Sequence, residues 1–118
     1  LKKIGFVFHT SPHSTSAGRE GLDALLAASA YCEDIYVFFV GDGVTQLVND
    51  QQPETVLSRD YISTFKLMDL YDIEHVYACR TGLEERGLLD VEMAFDVRIL
   101  PSDDIASQMA SCHHLLSF

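Results

Sequence analysis

The chain has 118 residues, with 8 basic against 18 acidic side chains and a formal charge of −10. So acidic a surface repels phosphate backbones, which argues against direct nucleic-acid binding by this chain alone and is compatible with solubility and with a partner that carries complementary basic charge. Apolar residues make up 47% and charged residues 22%, which excludes a disordered tail. The longest apolar run, "IYVFFV" at 35–40, falls far short of the ~20 residues that span a bilayer.

This length matches one domain, 1–118, and a chain of this size buries roughly two thirds of its unfolded surface. No repeat, low-complexity tract or internal boundary interrupts it. Three cysteines without paired or CxxC spacing argue against a disulfide framework and point to the reducing cytoplasm. The opening "LKKIGFVFHTS" has an apolar part too short for a secretory signal and reads as a buried strand.

Taken in chain order, "KKIGFVF" at 2–8 is the first strand. "AGREGLDALLAASAY" at 17–31 then places Leu22, Leu25, Leu26 and Ala30 on one helical face, with Ser16 as a candidate N-cap and Glu20 near the positive helix end. "DIYVFFV" at 34–40 is the second strand. Residues 41–58 read as a short helix followed by a long excursion. "RDYISTFKLMDLY" at 59–71 sets Tyr61, Phe65 and Met68 at helical spacing; with Tyr71 they serve a core or a subunit interface. "IEHVYA" at 73–78 is a third strand, "TGLEERGLL" a short helix that Gly87 can stop, and "DVRIL" at 96–100 a fourth strand ending before Pro101. "SDDIASQMASC" forms a helix with Ser102 as a candidate cap, and "HHLLSF" a fifth strand at an edge. Strands alternating with helices predict a three-layer α/β/α domain with a mainly parallel sheet of about five strands.

In such sheets function gathers where the carboxyl ends of strands meet the following loops. Three segments lie there: "HTSPHSTSAG", "GDG" and the seam at Cys79. The "GDGV" turn raises phosphate or flavin binding in a flavodoxin-like module, but it lacks the G-x-G-x-x-G and Walker patterns, and glycine is also the ordinary way to leave a strand. His9 and His13 sit near Ser11, Ser14 and Thr15 with no orienting carboxylate beside them, which favours solvated loop histidines. "CHH" at 112–114 would send its two histidines to opposite faces of a strand, which defeats joint chelation. Glu84 and Glu85 are helix neighbours that do not face each other, so they read as a solvated acidic face. Cys79 has the best local argument. It ends a strand at the mouth of a helix, beside Arg80, and both features favour the thiolate that attacks sulfur. The competing reading is equally simple, because free cysteine is among the most buried residue types.

Taken together, "IGFVF", "SPHSTSAGREGLDALLAASA", "IYVFFVGDGVTQL", "RDYISTFKLMDLYDIEHVYAC" and "LEERGL" resemble the TusC-like (DsrF-like) branch of the DsrE/DsrF family over nearly all of residues 2–90. The resemblance implies a small α/β/α subunit of a bacterial sulfur-relay complex, assembled with TusB-like and TusD-like chains as a heterohexamer with two copies of each. That complex takes persulfide sulfur from a TusA-like donor and passes it through a TusE-like acceptor towards 2-thiolation of the wobble uridine of tRNA. It implies no metal, no other cofactor and no membrane. Cys79 stands where TusD/DsrE-like subunits carry the persulfide, yet "CRTGLEERGL" replaces their small-residue run and basic helix, and Ser14 stands where the family usually has glycine. The branch therefore implies an accessory subunit in which Cys79 lines the site. A persulfide carrier acting through Cys79 is the alternative.

Overall fold

The computed structural model describes residues 3–9, 17–28, 34–47, 73, 75–90 and 97–118. Five strands form one sheet: β1 (Lys3–Phe8), β2 (Asp34–Phe39), β3 (His75–Cys79), β4 (Arg98–Leu100) and β5 (His114–Ser117). Every pairing is parallel and the spatial order is β4-β3-β2-β1-β5. The helices are α1 (Ala17–Ala28), α2 (Arg80–Glu85) and α3 (Ser102–Ala110), with a 3₁₀ helix at Gly41–Leu47 after β2. The expected fold class is thus observed: an α/β chain with a five-stranded, wholly parallel sheet.

The topology explains the layers. Strands β1 to β4 step in one direction across the sheet, and the chain then returns past β1 to place β5. Crossovers of one hand moving in opposite directions must pass over opposite faces. The side chains sort accordingly, because alternate residues of a strand face opposite ways. Phe6, Phe8, Ile35, Val37, Phe39, Val76 and Ala78 pack with Leu25 of α1 and Leu83 of α2. On the other face Val7, Tyr36, Phe38, Tyr77 and Cys79 pack with Ile105 of α3, with Met109 beside them. Both faces of β1–β3 are covered, which is why these strands read as unbroken apolar runs.

Local signals set the ends. Gly87 has φ +67°, and its N–H donates to the Glu84 carbonyl while Leu88 N–H donates to that of Leu83. This is a Schellman closure of α2, with Leu83 and Leu88 joined in the same apolar cluster. Gly87 stops the helix as its sequence predicts, although α2 begins one residue earlier and ends sooner than expected. The cap expected at Ser102 is corrected. Pro101 occupies the N-cap position, no side chain caps α3, and Ser102 is its first helical residue. A residue before the helix that lacks an N–H fits a position whose N–H would otherwise need a partner. The predicted helix at 59–71, with Tyr61, Phe65, Met68 and Tyr71, lies outside the described residues, as do Ser16 and Ala30.

Nothing lies within contact distance of the point where a Cβ would stand on Gly87, so its substitution tests the backbone alone. Gly87→Ala is expected to lower the unfolding free energy by about 1 kcal/mol, and Gly87→Asn by less, because Asn tolerates the left-handed region. Urea denaturation of the two variants checks the order.

Candidate functional site at the carboxyl ends of the strands

The carboxyl end of the sheet is closed by the 3₁₀ helix and α2 leaning on each other. Gly43 packs onto β1 so closely that a Cβ there would run into the Phe8 carbonyl. Its N–H donates to the Val40 carbonyl (2.8 Å), while Val40 N–H reaches that same Phe8 carbonyl at 3.1 Å. Val44 is fully buried, and a Cβ on Gly82 would meet it at 3.3 Å. Arg86 then ties the two segments. Its Nη2 donates to Asp42 Oδ1 at 2.7 Å and its Nη1 to the Gly82 carbonyl at 3.0 Å. The "GDG" residues are therefore used in packing: Gly41 supplies a φ of +53°, Asp42 an ion pair and Gly43 a close approach. The same contacts leave a phosphate-cradling role without a structural argument.

Cys79 is the last residue of β3, paired in register with Leu100 of β4. It is also the N-cap of α2, with φ −76° and ψ 119° and no side-chain cap hydrogen bond. Its side chain belongs to the α3 face, beneath Ile105 and beside Tyr77 and Phe38, and only 9% of the residue is exposed. Arg80 does not serve it. The guanidinium donates through Nε to Glu84 Oε1 at 3.0 Å, an i,i+4 pair on the surface. Glu85 pairs with Arg86 at 3.7 Å. The two adjacent carboxylates thus go to two different arginines.

The described histidines are dispersed. His9 is exposed, and its N–H donates to the Phe118 carbonyl, whereas Ser11, His13, Ser14, Thr15 and Cys32 lie outside the described residues. In "CHH", Cys112 is half-buried with its thiol donating to the Gln108 carbonyl at 3.5 Å, and burial pushes that thiol up from the ordinary cysteine range. His113 accepts the Lys3 backbone N–H at Nδ1 (2.9 Å) and returns its own N–H to the Lys3 carbonyl. His114 enters β5 and is exposed. Among the described residues no group of three or more His, Cys, Asp or Glu side chains is placed to hold a metal.

One constellation is not anticipated from the sequence. Lys3, Asp34, His75 and Arg98 are the first residues of β1 to β4, at the opposite end of the sheet from Cys79. The His75 ring lies parallel to that of Tyr36 at 4.2 Å, with Nδ1 3.3 Å from the Tyr77 hydroxyl and Nε2 3.9 Å from Asp34 Oδ1. Lys3 Nζ and the Arg98 guanidinium sit over the rings of Tyr36 and Tyr77 at 5.2 and 5.9 Å. Burial raises the Tyr77 phenol above its ordinary range, opposed by Arg98. Strict alternation would have found this group, since positions 34, 36 and 38 and positions 75, 77 and 79 must share a face. The apolar density of both strands hides that alternation.

With this geometry the comparisons with known proteins agree. The match to the DsrE/DsrF-like family spans residues 2–118. The chain belongs to the DsrE/DsrF-like family. It is 49% identical to a TusC homolog of Aliivibrio fischeri over 118 residues and 52% identical to the TusC protein of Escherichia coli over 120, with complete coverage of both chains in each case. The crystal structure of the Escherichia coli YchN protein matches with a TM-score of 0.81 at 20% identity, covering all of both chains, which supports the fold.

Two outcomes test this description of the site. Gly43→Ala is expected to destabilise the chain by about 3 kcal/mol, since backbone rather than a flexible side chain blocks the added methyl; guanidinium unfolding measures it. Cys79 is expected to react with iodoacetamide on the order of tenfold or more slowly in the folded chain than in 6 M-range denaturant. Peptide mapping by mass spectrometry after a timed quench reads that ratio directly.

Proposed function

We propose that this chain is the TusC-like, accessory subunit of a sulfur-relay complex that serves 2-thiolation of the wobble uridine of tRNA. The observation that carries the reading is identity of about one half over full length to TusC proteins. In this reading the chain assembles with TusB-like and TusD-like subunits as a heterohexamer. Sulfur enters from a TusA-like donor and leaves on a TusE-like acceptor, and the complex works in the cytoplasm. Among the described residues no helix is long and apolar enough to cross a membrane, and the formal charge of −10 leaves contact with RNA to other components.

Within that complex Cys79 lines the site and does not carry the sulfur. Persulfide transfer needs an accessible thiolate to attack the terminal sulfur of the donor and release the donor's thiolate. Support for the accessory role comes from the Cys79 side chain lying beneath α3 and from Arg80 being held by Glu84 at 3.0 Å. Its place at the carboxyl end of β3 and the mouth of α2 favours the second reading, in which Cys79 is itself a persulfide carrier.

Co-expression with TusB-like and TusD-like chains is expected to yield one co-eluting complex, checked by size-exclusion chromatography and native mass spectrometry. A chain that elutes alone in their presence contradicts the reading. In that complex Cys79→Ser is expected to leave sulfur transfer to the acceptor within about twofold of the unsubstituted complex. Loss of transfer by tenfold or more, some 1.4 kcal/mol of barrier, selects the carrier reading instead.

A further inference from the structure

Among the described residues α3 is the helix that covers the Cys79 side of β3, and it rests there lightly. Of its nine residues Ile105 alone is buried, with Met109, one turn on, half-buried beside it. Its polar bonds stay local. Ser111 Oγ and Cys112 Sγ, at its end, both donate to the Gln108 carbonyl, at 2.6 and 3.5 Å. No side chain caps its first turn, and among the described residues none of its side chains makes an ion pair. α2 is shorter and better held: its six residues bury Gly82 and Leu83, the Gly87 turn closes it, and Arg86 ties it to Asp42. An element with few buried contacts and an exposed backbone opens at a lower free energy than the fold as a whole.

The chain on either side of α3 is fixed. Leu100 is paired with Cys79 in the sheet. At the other end Lys3 N–H donates to His113 Nδ1 (2.9 Å) and His113 N–H to the Lys3 carbonyl (2.8 Å). α3 is therefore a strap between two anchors, and it can leave the sheet without either strand unpairing. Pro101, extended at φ −58° and ψ 156°, and Ser111 stand where the chain would turn. Such a movement lifts Ile105 away from Tyr77, Phe38 and Cys79, the residues it packs among.

We propose that α3 is a lid over Cys79, so that exposure of the thiol is set by opening of this helix and not by unfolding of the chain. The structure holds the closed state, with 9% of Cys79 exposed. Any attack by this sulfur, on an alkylating reagent or on a persulfide, proceeds from the open state at a rate scaled by the open fraction. The inference concerns access to the thiol and stands under either role of Cys79 in sulfur relay.

The test is the rate at which iodoacetamide modifies Cys79 in the full chain, read by peptide mapping against urea concentration. Lid opening exposes little surface, so below the unfolding transition the rate is expected to rise by less than about twofold per molar urea, against roughly tenfold if global unfolding is required. The steeper dependence throughout overturns the proposal. In buffer, Ile105→Ala is expected to raise the rate roughly thirtyfold, while Leu25→Ala, in the opposite layer, leaves it within about twofold. Equal rises in the two variants also overturn it. Hydrogen exchange read by mass spectrometry needs no variant: amides of 102–111 are expected to exchange at least about tenfold faster than those of β1 to β3. Equal protection of helix and strands overturns the lid. So does an Ile105→Ala variant whose thiol reacts faster while its α3 amides exchange unchanged, because a hole above the sulfur then explains the rate.

Discussion

β1 is hydrogen-bonded on both sides, and the rest of the molecule depends on this. Its even-numbered residues serve β2, as in the bond from Val40 to Phe8, and its odd-numbered residues serve β5, as in the bond from Phe118 to Val7. Its two neighbours come from distant parts of the chain, so the register of β1 fixes the positions of segments that share no local contact. The same strand divides the cores, with Phe6 and Phe8 facing α1 and Val7 facing α3. Gly5 completes the arrangement by omission. A Cβ there would collide with Leu115 and crowd Cys112 and Phe38, so the missing side chain lets the edge strand and the end of α3 settle against the sheet.

Along the strands the sheet has a polar end and an apolar end. Lys3, Asp34, His75 and Arg98 open four adjacent strands and place their charges over the rings of Tyr36 and Tyr77 or beside them. Aromatic rings tolerate cations on their faces and keep their own apolar contacts beneath, so charged groups at this end sit against the sheet without losing its packing. At the other end the strands stay apolar to their last residues, and closure falls to the 3₁₀ helix and α2. Arg86 ties the two segments there, and its partner Asp42 is solvent-exposed, so the contribution of that ion pair is modest beside the burial of Val44 and Leu83.

Much of this was legible in the sequence. The strands "KKIGFVF" and "DIYVFFV" and the alternation of strand with helix were sufficient for a parallel α/β sheet, and Gly87 marked a helix end that the structure closes at that residue. Three features were not legible, each for a physical reason. The order β4-β3-β2-β1-β5 depends on which edge the final strand joins, and no local propensity encodes that. The tie between Arg86 and Asp42 spans 44 positions, so it is invisible to periodicity. The face of Cys79 was uncertain because β3 is apolar on both sides; only its place after Tyr77 and His75 in the alternation assigns it to the α3 layer. The role of Arg80 was misjudged for a related reason. Adjacency in sequence suggested a cation beside the thiol, but on a helix the nearer partner is four residues ahead, and Glu84 takes it.

That last point bears on what surrounds the thiol at the end of β3. The strand end and helix mouth are supplied by the fold; the accessibility and the charge around the sulfur are supplied by a handful of side chains. Here α3 covers the sulfur side of β3, Glu84 holds Arg80 at the surface, and the part-buried Arg86 is held most closely by Asp42. The arginine that opens α2, Arg80, is thus paired with Glu84 and not with the thiol. Among the described residues the exposed strand β5 lies at the far edge from β4, on the other side of β1 from the strand that ends in Cys79. The β5 edge and the closed ends of the strands are therefore separate parts of the surface, because no residue of β5 is shared with the closure built by Gly43, Arg86 and Asp42.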